Sequence, residues 1–113
     1  MQTLFTIHAV NESKLQNVIA EMRVLGAPKI RVVDCGDYLM ALEGTHRIAA
    51  AAALGIAPVL DILEQDELID ADSLDWQDLR NGETYTAGEL AAEAYSPSCG
   101  IYEVETDGTV YAK

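Results

Sequence analysis

Residues 38–55, YLMALEGTHRIAAAAALG, carry the strongest local signals in the chain. An apolar segment that favours a strand is followed by Gly44, which is typical of a turn, and by Thr45, a residue type preferred at helix N-caps. The alanine run after them permits close packing of a helix, and Gly55 stands where a helix C-cap belongs. We therefore predict a strand, a glycine turn and a helix over residues 45–54.

The beginning of this helix is a candidate anion site. A helix N-terminus presents unpaired backbone N–H groups and the positive end of the helix dipole, both of which attract phosphate. Gly44 lets a ligand approach the backbone, and Arg47 offers a guanidinium suited to phosphate oxygens. We predict that Gly44, Thr45, His46 and Arg47 bind a phosphate or nucleotide. Glu43 and His46 are candidates for acid–base catalysis.

Each of these residues also has a structural interpretation. Thr45 can serve only as the N-cap, and His46 can be a first-turn residue without a task. Arg47 can form an ion pair with Glu43 or Asp61 in place of a phosphate contact. Glu43 can be an ordinary carboxylate at a strand end. The sequence leaves these alternatives open.

The pattern around the motif predicts an α/β fold with α+β layering. Alternating residues favour a strand over residues 3–10, and residues 13–25 have helical apolar spacing, with Asn11 or Ser13 as the N-cap. Turn residues centred on Gly36 predict a hairpin. The first 63 residues therefore read as a β-α-β-β-α-β order, whose remaining strands cover residues 29–33, 38–42 and 59–63.

Beyond residue 64 the periodicity weakens. We predict a short helix over residues 73–79, with Trp76 in the core, and a turn at Asn81 and Gly82. Thr86 and Glu89 form a capping-box pattern that opens a second helix, and the chain ends in a hairpin. This hairpin pairs residues 101–105 with residues 109–112. The acidic region from residue 64 onward is expected to pack on the core as a cover.

Length and composition are typical of one compact domain over residues 1–113, half of whose residues are hydrophobic. The longest apolar stretch, residues 48–60, is interrupted by glycine and proline and is too short to cross a bilayer. The N-terminus lacks the basic region of a secretory signal, and Cys35 and Cys99 do not make a disulfide framework. These features predict a cytoplasmic protein without membrane association.

The net charge of −12 lies entirely in the second part of the chain. Residues 1–47 contain five basic and five acidic residues, whereas the remainder contains two basic and fourteen acidic ones. DNA binding is disfavoured, because it requires Lys and Arg to neutralise phosphates. The acidity indicates a solvated face or a surface for a basic partner. Neither the His and Cys positions nor the acidic run at residues 66–72 has the spacing of a zinc or calcium site.

The motif Glu43-Gly44-Thr45-His46-Arg47 resembles the ParB/sulfiredoxin superfamily, and the similarity extends over about residues 3–63, including the exit Leu54-Gly55. The resemblance implies a small mixed sheet with packed helices. It also implies that Gly44, Thr45, His46 and Arg47 bind nucleotide phosphates, with ATP, ADP or CTP and Mg²⁺ as expected ligands.

The motif departs from each branch of the superfamily. ParB-type proteins carry Gly-Glu-Arg-Arg, of which this chain keeps Gly44 and Arg47, and a helix-turn-helix domain that the chain lacks. Sulfiredoxins carry Gly-Cys-His-Arg, and Thr45 replaces the nucleophilic cysteine, so sulfiredoxin activity is not expected. A third branch, similar to free-serine kinases, has Gly-His-His-Arg-like motifs and transfers phosphoryl groups.

Two functions follow from the sequence. The first is a stand-alone domain that binds a phosphate or nucleotide at a helix N-terminus, with phosphotransfer as an added option, so that enzymatic activity stays open. The alternative is a non-catalytic interaction or regulatory module with a vestigial pocket. Its partner would be a basic protein or a second copy of the chain.

Overall fold

A computed structural model describes residues 2–74, 76, 79, 82–97 and 99–113. The chain begins with β1 (Gln2–Thr6), α1 (Glu12–Leu25), β2 (Lys29–Asp34), β3 (Tyr38–Ala41), α2 (Thr45–Leu54) and β4 (Val59–Leu63). It continues with β5 (Leu68–Asp70), a 3₁₀ turn (Ala71–Ser73), β6 (Thr84–Thr86), α3 (Ala87–Ala94), β7 (Gly100–Val104) and β8 (Val110–Ala112). This mixture of helices and strands confirms the predicted α+β class.

Six strands form one mixed sheet in the order β4-β2-β3-β1-β7-β8. The pairs β1–β3 and β2–β4 are parallel, whereas β2–β3, β1–β7 and β7–β8 are antiparallel. The antiparallel β2–β3 and β7–β8 pairs confirm both predicted hairpins. β1 ends at Thr6, short of the predicted residue 10, because neither neighbouring strand offers a partner beyond that position.

Helix α1 begins one residue earlier than predicted. Asn11 is the N-cap, and its Oδ1 accepts a hydrogen bond from the backbone N–H of Lys14 at 3.1 Å, so the alternative cap at Ser13 is wrong. Gly26 ends the helix with φ of 82°, and its N–H donates to the carbonyl of Met22. Met22 is buried, and α1 packs along α2.

The sheet has a hydrophobic cluster on each face, since consecutive strand residues point to opposite sides. Val32 and Leu39 belong to the cluster beneath α1 and α2, whereas their neighbours Val33 and Met40 belong to the cluster beneath α3 and the small β5–β6 pair. The result is a sheet covered on both faces.

The acidic half, residues 64–113, contributes to the main sheet and to the hydrophobic clusters on both of its faces. Its strand β7 lies beside β1, with Tyr102 opposite Leu4, and Val110 of β8 is fully buried in the cluster shared with α1 and α2. Strands β5 and β6, which pair with each other, were not predicted. Each has only three residues, too few for a visible alternation.

The prediction of a helix over residues 73–79 is wrong for the residues of this range that the structure describes. The segment forms a single 3₁₀ turn (Ala71–Ser73), and the described residues Leu74, Trp76 and Leu79 are not helical. The other predicted helix is confirmed as α3, with the Thr86 hydroxyl accepting from the Glu89 N–H at 3.2 Å.

Some predictions fall outside the described residues, namely those on Asp75, Gln77, Asp78 and Asn81. Gly82, which follows Asn81, has φ of 82°. Within the described ranges, no helix combines the length and apolarity that a bilayer-spanning segment requires.

Candidate functional site

The predicted anion motif lies in an open cleft of about 1370 Å³. The cleft lies beyond the carboxyl ends of the parallel neighbours β1 and β3, whose following loops carry His8 and the motif residues. Leu90 and Glu93 of α3 form part of its lining, as does Trp76. The fold therefore joins the motif to residues of the acidic half in one concave surface.

The N-terminus of α2 has no side-chain cap. Gly44 is the N-cap in the left-handed conformation, with φ of 75° and ψ of 29°, and its carbonyl accepts the first helical hydrogen bond from Ile48 at 2.9 Å. Thr45 is therefore the first residue of the helix, and the prediction that it is the N-cap is wrong. No side chain of the described chain accepts from the first-turn N–H groups, which leaves them available to a ligand.

Thr45 is the buried polar residue of the site. It is 4% exposed and lines the cleft, and its hydroxyl makes no hydrogen bond with any described residue. Because Gly44 occupies the N-cap position, the Thr45 hydroxyl does not cap the helix. Among the described residues, the fully buried side-chain oxygen without a partner is that of Thr6, so the oxygen of Thr45 retains access to the cleft, beside the uncapped N–H groups of the first helical turn.

Arg47 folds back over the glycine turn. Its Nη1 donates to the carbonyl of Lys29 at 3.2 Å, and a Cβ on Gly44 would lie 3.2 Å from Nη2 and 3.3 Å from Nε. The absence of a side chain at Gly44 thus makes room for the guanidinium. Neither predicted alternative, an ion pair with Glu43 or with Asp61, forms within 4 Å in the described structure. A cationic group therefore lies directly beside the helix N-terminus.

His46 connects the beginnings of two helices. Its Nε2 accepts a hydrogen bond from the backbone N–H of Asn11 at 2.9 Å, which requires the ring to be neutral, with the proton on Nδ1. Burial, and then the nearby charges of His8 and Lys14, lower the pKa of His46. The ring of His8 lies 5.7 Å away. The lone pair of Nε2, which a general base would need in order to accept a proton, therefore already accepts the hydrogen bond from Asn11.

Glu43 is held by a residue that the sequence analysis did not select. Arg31 donates to the Glu43 carboxylate from Nε at 3.0 Å, from Nη2 at 2.9 Å and from its backbone N–H at 3.3 Å. These hydrogen bonds, the side-chain ones foremost, lower the pKa of Glu43. The one signal in the sequence was a charged residue between the buried apolar residues Ile30 and Val32 of β2. Both oxygens of the carboxylate already have donors.

Arg31 also reaches the acidic half. Its Nη1 donates to the hydroxyl of Ser73 at 3.0 Å, and its Nη2 donates to the Ser73 carbonyl at 2.8 Å. Ser73 precedes Leu74, which is buried, and Trp76, whose indole N–H donates to the carbonyl of Leu42 at 2.8 Å. The segment after β5 is therefore fastened to the strand end that carries the motif.

Other candidate groups lie apart from the cleft or have structural contacts. Cys35 and Cys99 are free thiols, and Cys99 is buried with its sulfur near the carbonyl of Ala94 at 3.5 Å. Over the ranges that the structure describes, no group of three or more His, Cys, Asp or Glu side chains is placed to hold a metal ion. The five predicted site residues, in contrast, all line the same cleft.

Comparison of the chain with family models, with curated proteins and with solved structures finds no match. The resemblance of the motif to the ParB/sulfiredoxin superfamily stays a prediction. The site combines a helix N-terminus without a side-chain cap, a buried threonine whose hydroxyl has no described partner and an adjacent guanidinium.

Proposed function

We propose that this protein binds the phosphate group of a small phosphorylated ligand, such as a nucleotide, at the N-terminus of α2. The observation that carries the proposal is Thr45, which is 4% exposed, lines the cleft and has a hydroxyl without a described partner. A phosphate oxygen would accept from this hydroxyl and from the first-turn N–H groups. The guanidinium of Arg47 would supply the balancing charge.

The charges in the cleft favour a ligand with one phosphate group. Arg47 is the one Arg or Lys among the described residues of the lining, which also includes Glu21, Glu89 and Glu93. Glu43 is neutralised by Arg31. Each further phosphate would therefore bring negative charge toward carboxylates. Mg²⁺ in a nucleoside di- or triphosphate complex would offset that charge and would be held mainly by the phosphates.

The geometry supports binding better than catalysis. A catalytic base must be within reach of its proton and free to accept it. Glu43 has a lowered pKa and accepts three hydrogen bonds from Arg31, and His46 accepts one from Asn11 at Nε2. We therefore propose a binding function and assign neither residue a catalytic step.

The test compares three proteins by calorimetry and thermal unfolding: the unchanged chain, Thr45→Val and Thr45→Ser. The probes are inorganic phosphate, AMP, ADP, ATP and CTP, each with and without Mg²⁺. We expect phosphate compounds to stabilise the unchanged chain, by about 2.7 kcal/mol at a hundredfold excess over Kd. Thr45→Val should weaken binding by about tenfold or more, because a hydrogen bond to a charged group contributes about 1.5–3 kcal/mol.

Thr45→Ser is the matched control, since it keeps the hydroxyl and should bind within a few-fold of the unchanged chain. Thr45→Val should not lower the free energy of unfolding, because the hydroxyl has no described partner in the free protein. Arg47→Ala should abolish binding, whereas Arg47→Lys should retain part of it. Phosphate binding that is equally tight in Thr45→Val, or no binding of any probe, would refute the proposal.

If no phosphate compound binds, the alternative function from the sequence gains weight. An interaction module that uses its acidic half would associate with a basic partner in a salt-sensitive manner, with no effect of nucleotides. The proposed compartment is the cytoplasm, supported by the free thiols of Cys35 and Cys99.

A further inference from the structure

Trp76 lies in the same cleft as the anion motif. It is partly exposed, whereas the neighbouring Leu74 is buried at 7% exposure. Trp76 packs, together with Leu79 and Tyr85, against the hydrophobic cluster that contains Leu42 and Leu90, so its predicted core position is confirmed as a partly buried one. A large aromatic side chain in a concave surface that combines apolar and polar groups is a usual wall of a small-molecule site.

The indole of Trp76 is bound to the strand end that precedes the glycine turn. Its N–H donates to the carbonyl of Leu42, two residues before Gly44. Arg31 holds Ser73 through two hydrogen bonds, so the segment that carries the indole is anchored on both sides of Leu74. The indole is therefore held in the cleft by the strand end that leads into the α2 N-terminus.

We infer that Trp76 binds the planar ring of the phosphorylated ligand. The ligand is then a nucleotide rather than inorganic phosphate or a sugar phosphate. This inference rests on the proposed function, because it places the ring next to a phosphate held by Thr45 and Arg47. It adds a specificity-determining residue from the acidic half, outside the part of the chain that carries the motif. The ring stacks on or packs against the indole, and the phosphate lies at the helix N-terminus.

Intrinsic fluorescence tests the inference directly, since Trp76 is the single tryptophan of the chain. The probes are AMP, CMP, ribose 5-phosphate, inorganic phosphate and adenosine, titrated into the full chain. AMP should change the fluorescence and bind about tenfold or more tightly than ribose 5-phosphate, since stacking of a base on an aromatic side chain has that magnitude. Inorganic phosphate should bind without a comparable change.

Two variants separate the ring contact from the fold. Trp76→Leu should weaken AMP about tenfold while leaving the affinity for inorganic phosphate, measured by calorimetry, unchanged. Trp76→Phe, which keeps an aromatic ring, should restore most of the affinity for AMP. Phosphate binding that persists in Trp76→Leu shows that the site is still folded, so loss of AMP affinity then reports the missing ring.

The outcomes distinguish the two proposals. If phosphate binds but AMP and ribose 5-phosphate bind equally well, or Trp76→Leu binds AMP as tightly as the unchanged chain, the role of Trp76 is refuted and the phosphate site stands. If adenosine binds, changes the fluorescence and is weakened by Trp76→Leu while no phosphate adds affinity, the phosphate site is refuted and the ring site stands. Absence of binding by every probe refutes both.

Discussion

At the scale of single residues, side chains that look alike in sequence have different roles in the cleft. Thr45 and Thr86 both stand at the beginning of a helix, yet the Thr86 hydroxyl caps α3, whereas Thr45 is buried without a described partner. The difference lies in the preceding residue, because Gly44 takes the cap position with a left-handed backbone. A hydroxyl released from capping is available to a ligand.

The protonation of His46 should make the free energy of unfolding depend on pH. Because folding lowers the pKa of His46 below its ordinary value of 6.5, the unfolded chain takes up this proton first as the pH falls. The stability that neutral His46 contributes is fully present above its ordinary pKa of 6.5, and it is lost as the pH falls through the lower pKa of the folded state. We expect NMR titration to place the His46 transition below 6.5.

Two variants provide the controls for this prediction. His46→Gln retains an acceptor for the Asn11 N–H and should lose less stability than the unchanged chain between about pH 8 and about pH 5. His46→Ala, which removes the acceptor, should cost about 0.5–1.5 kcal/mol at the higher pH. A His46 transition at or above the ordinary value would contradict the assigned neutral ring.

At the scale of elements, the close approach of β1 and β7 depends on a glycine. Thr6 lies opposite Gly100, is fully buried, and its hydroxyl has no hydrogen-bond partner in the described structure. A Cβ on Gly100 would collide with Thr6 Oγ1, whereas the next atom, Tyr102 Cε2, would be 3.4 Å away. The two residues therefore fit together as a pair.

This pair predicts a compensating double substitution. Gly100→Ala should lower the free energy of unfolding by about 1–3 kcal/mol, the usual cost of overpacking. In Thr6→Ala the colliding oxygen is gone, so adding Gly100→Ala to it should cost at least about 1 kcal/mol less than Gly100→Ala alone. Urea unfolding of all four proteins gives the coupling. Additive losses would mean that the collision with Oγ1 is not the cause.

At the scale of the whole molecule, the two halves share one sheet and one core. Val110 of the last strand is fully buried in the cluster that also contains Leu4 and Met22, while its neighbour Tyr111 is 51% exposed. The β7–β8 hairpin also makes β1 an internal strand, because β7 pairs with the side of β1 that β3 leaves open. The acidic half is therefore part of the structural core as well as of the cleft.

Substitutions in the last strand test this integration. Val110→Ala should lower the free energy of unfolding by about 2–3 kcal/mol, from lost apolar burial and the cavity left behind. Tyr111→Ala is the matched control and should cost about 1 kcal/mol or less. The fluorescence of Trp76 and far-UV circular dichroism should report the same shifted transition. A loss confined to one of the two probes would show that the halves unfold separately.

Part of this molecule was readable from local sequence. The bounds of α2, residues 45–54, followed from the glycines on both sides of an alanine run, and both hairpins followed from turn residues between β-forming segments. The cluster of phosphate-binding residue types at Gly44–Arg47 was equally visible, because residues within one helix turn are neighbours whatever the rest of the fold does.

Only the tertiary structure decided how those residues are used. Arg31 binds Glu43, which is 12 residues away along the chain, and Ser73, which is 42 residues away. The indole of Trp76 binds the carbonyl of Leu42 across 34 residues. The pairing of β7 with β1 joins the two ends of the chain. Periodicity and turn residues report a segment's own conformation, whereas register and burial are decided by the surface that it packs against, which the local sequence does not contain.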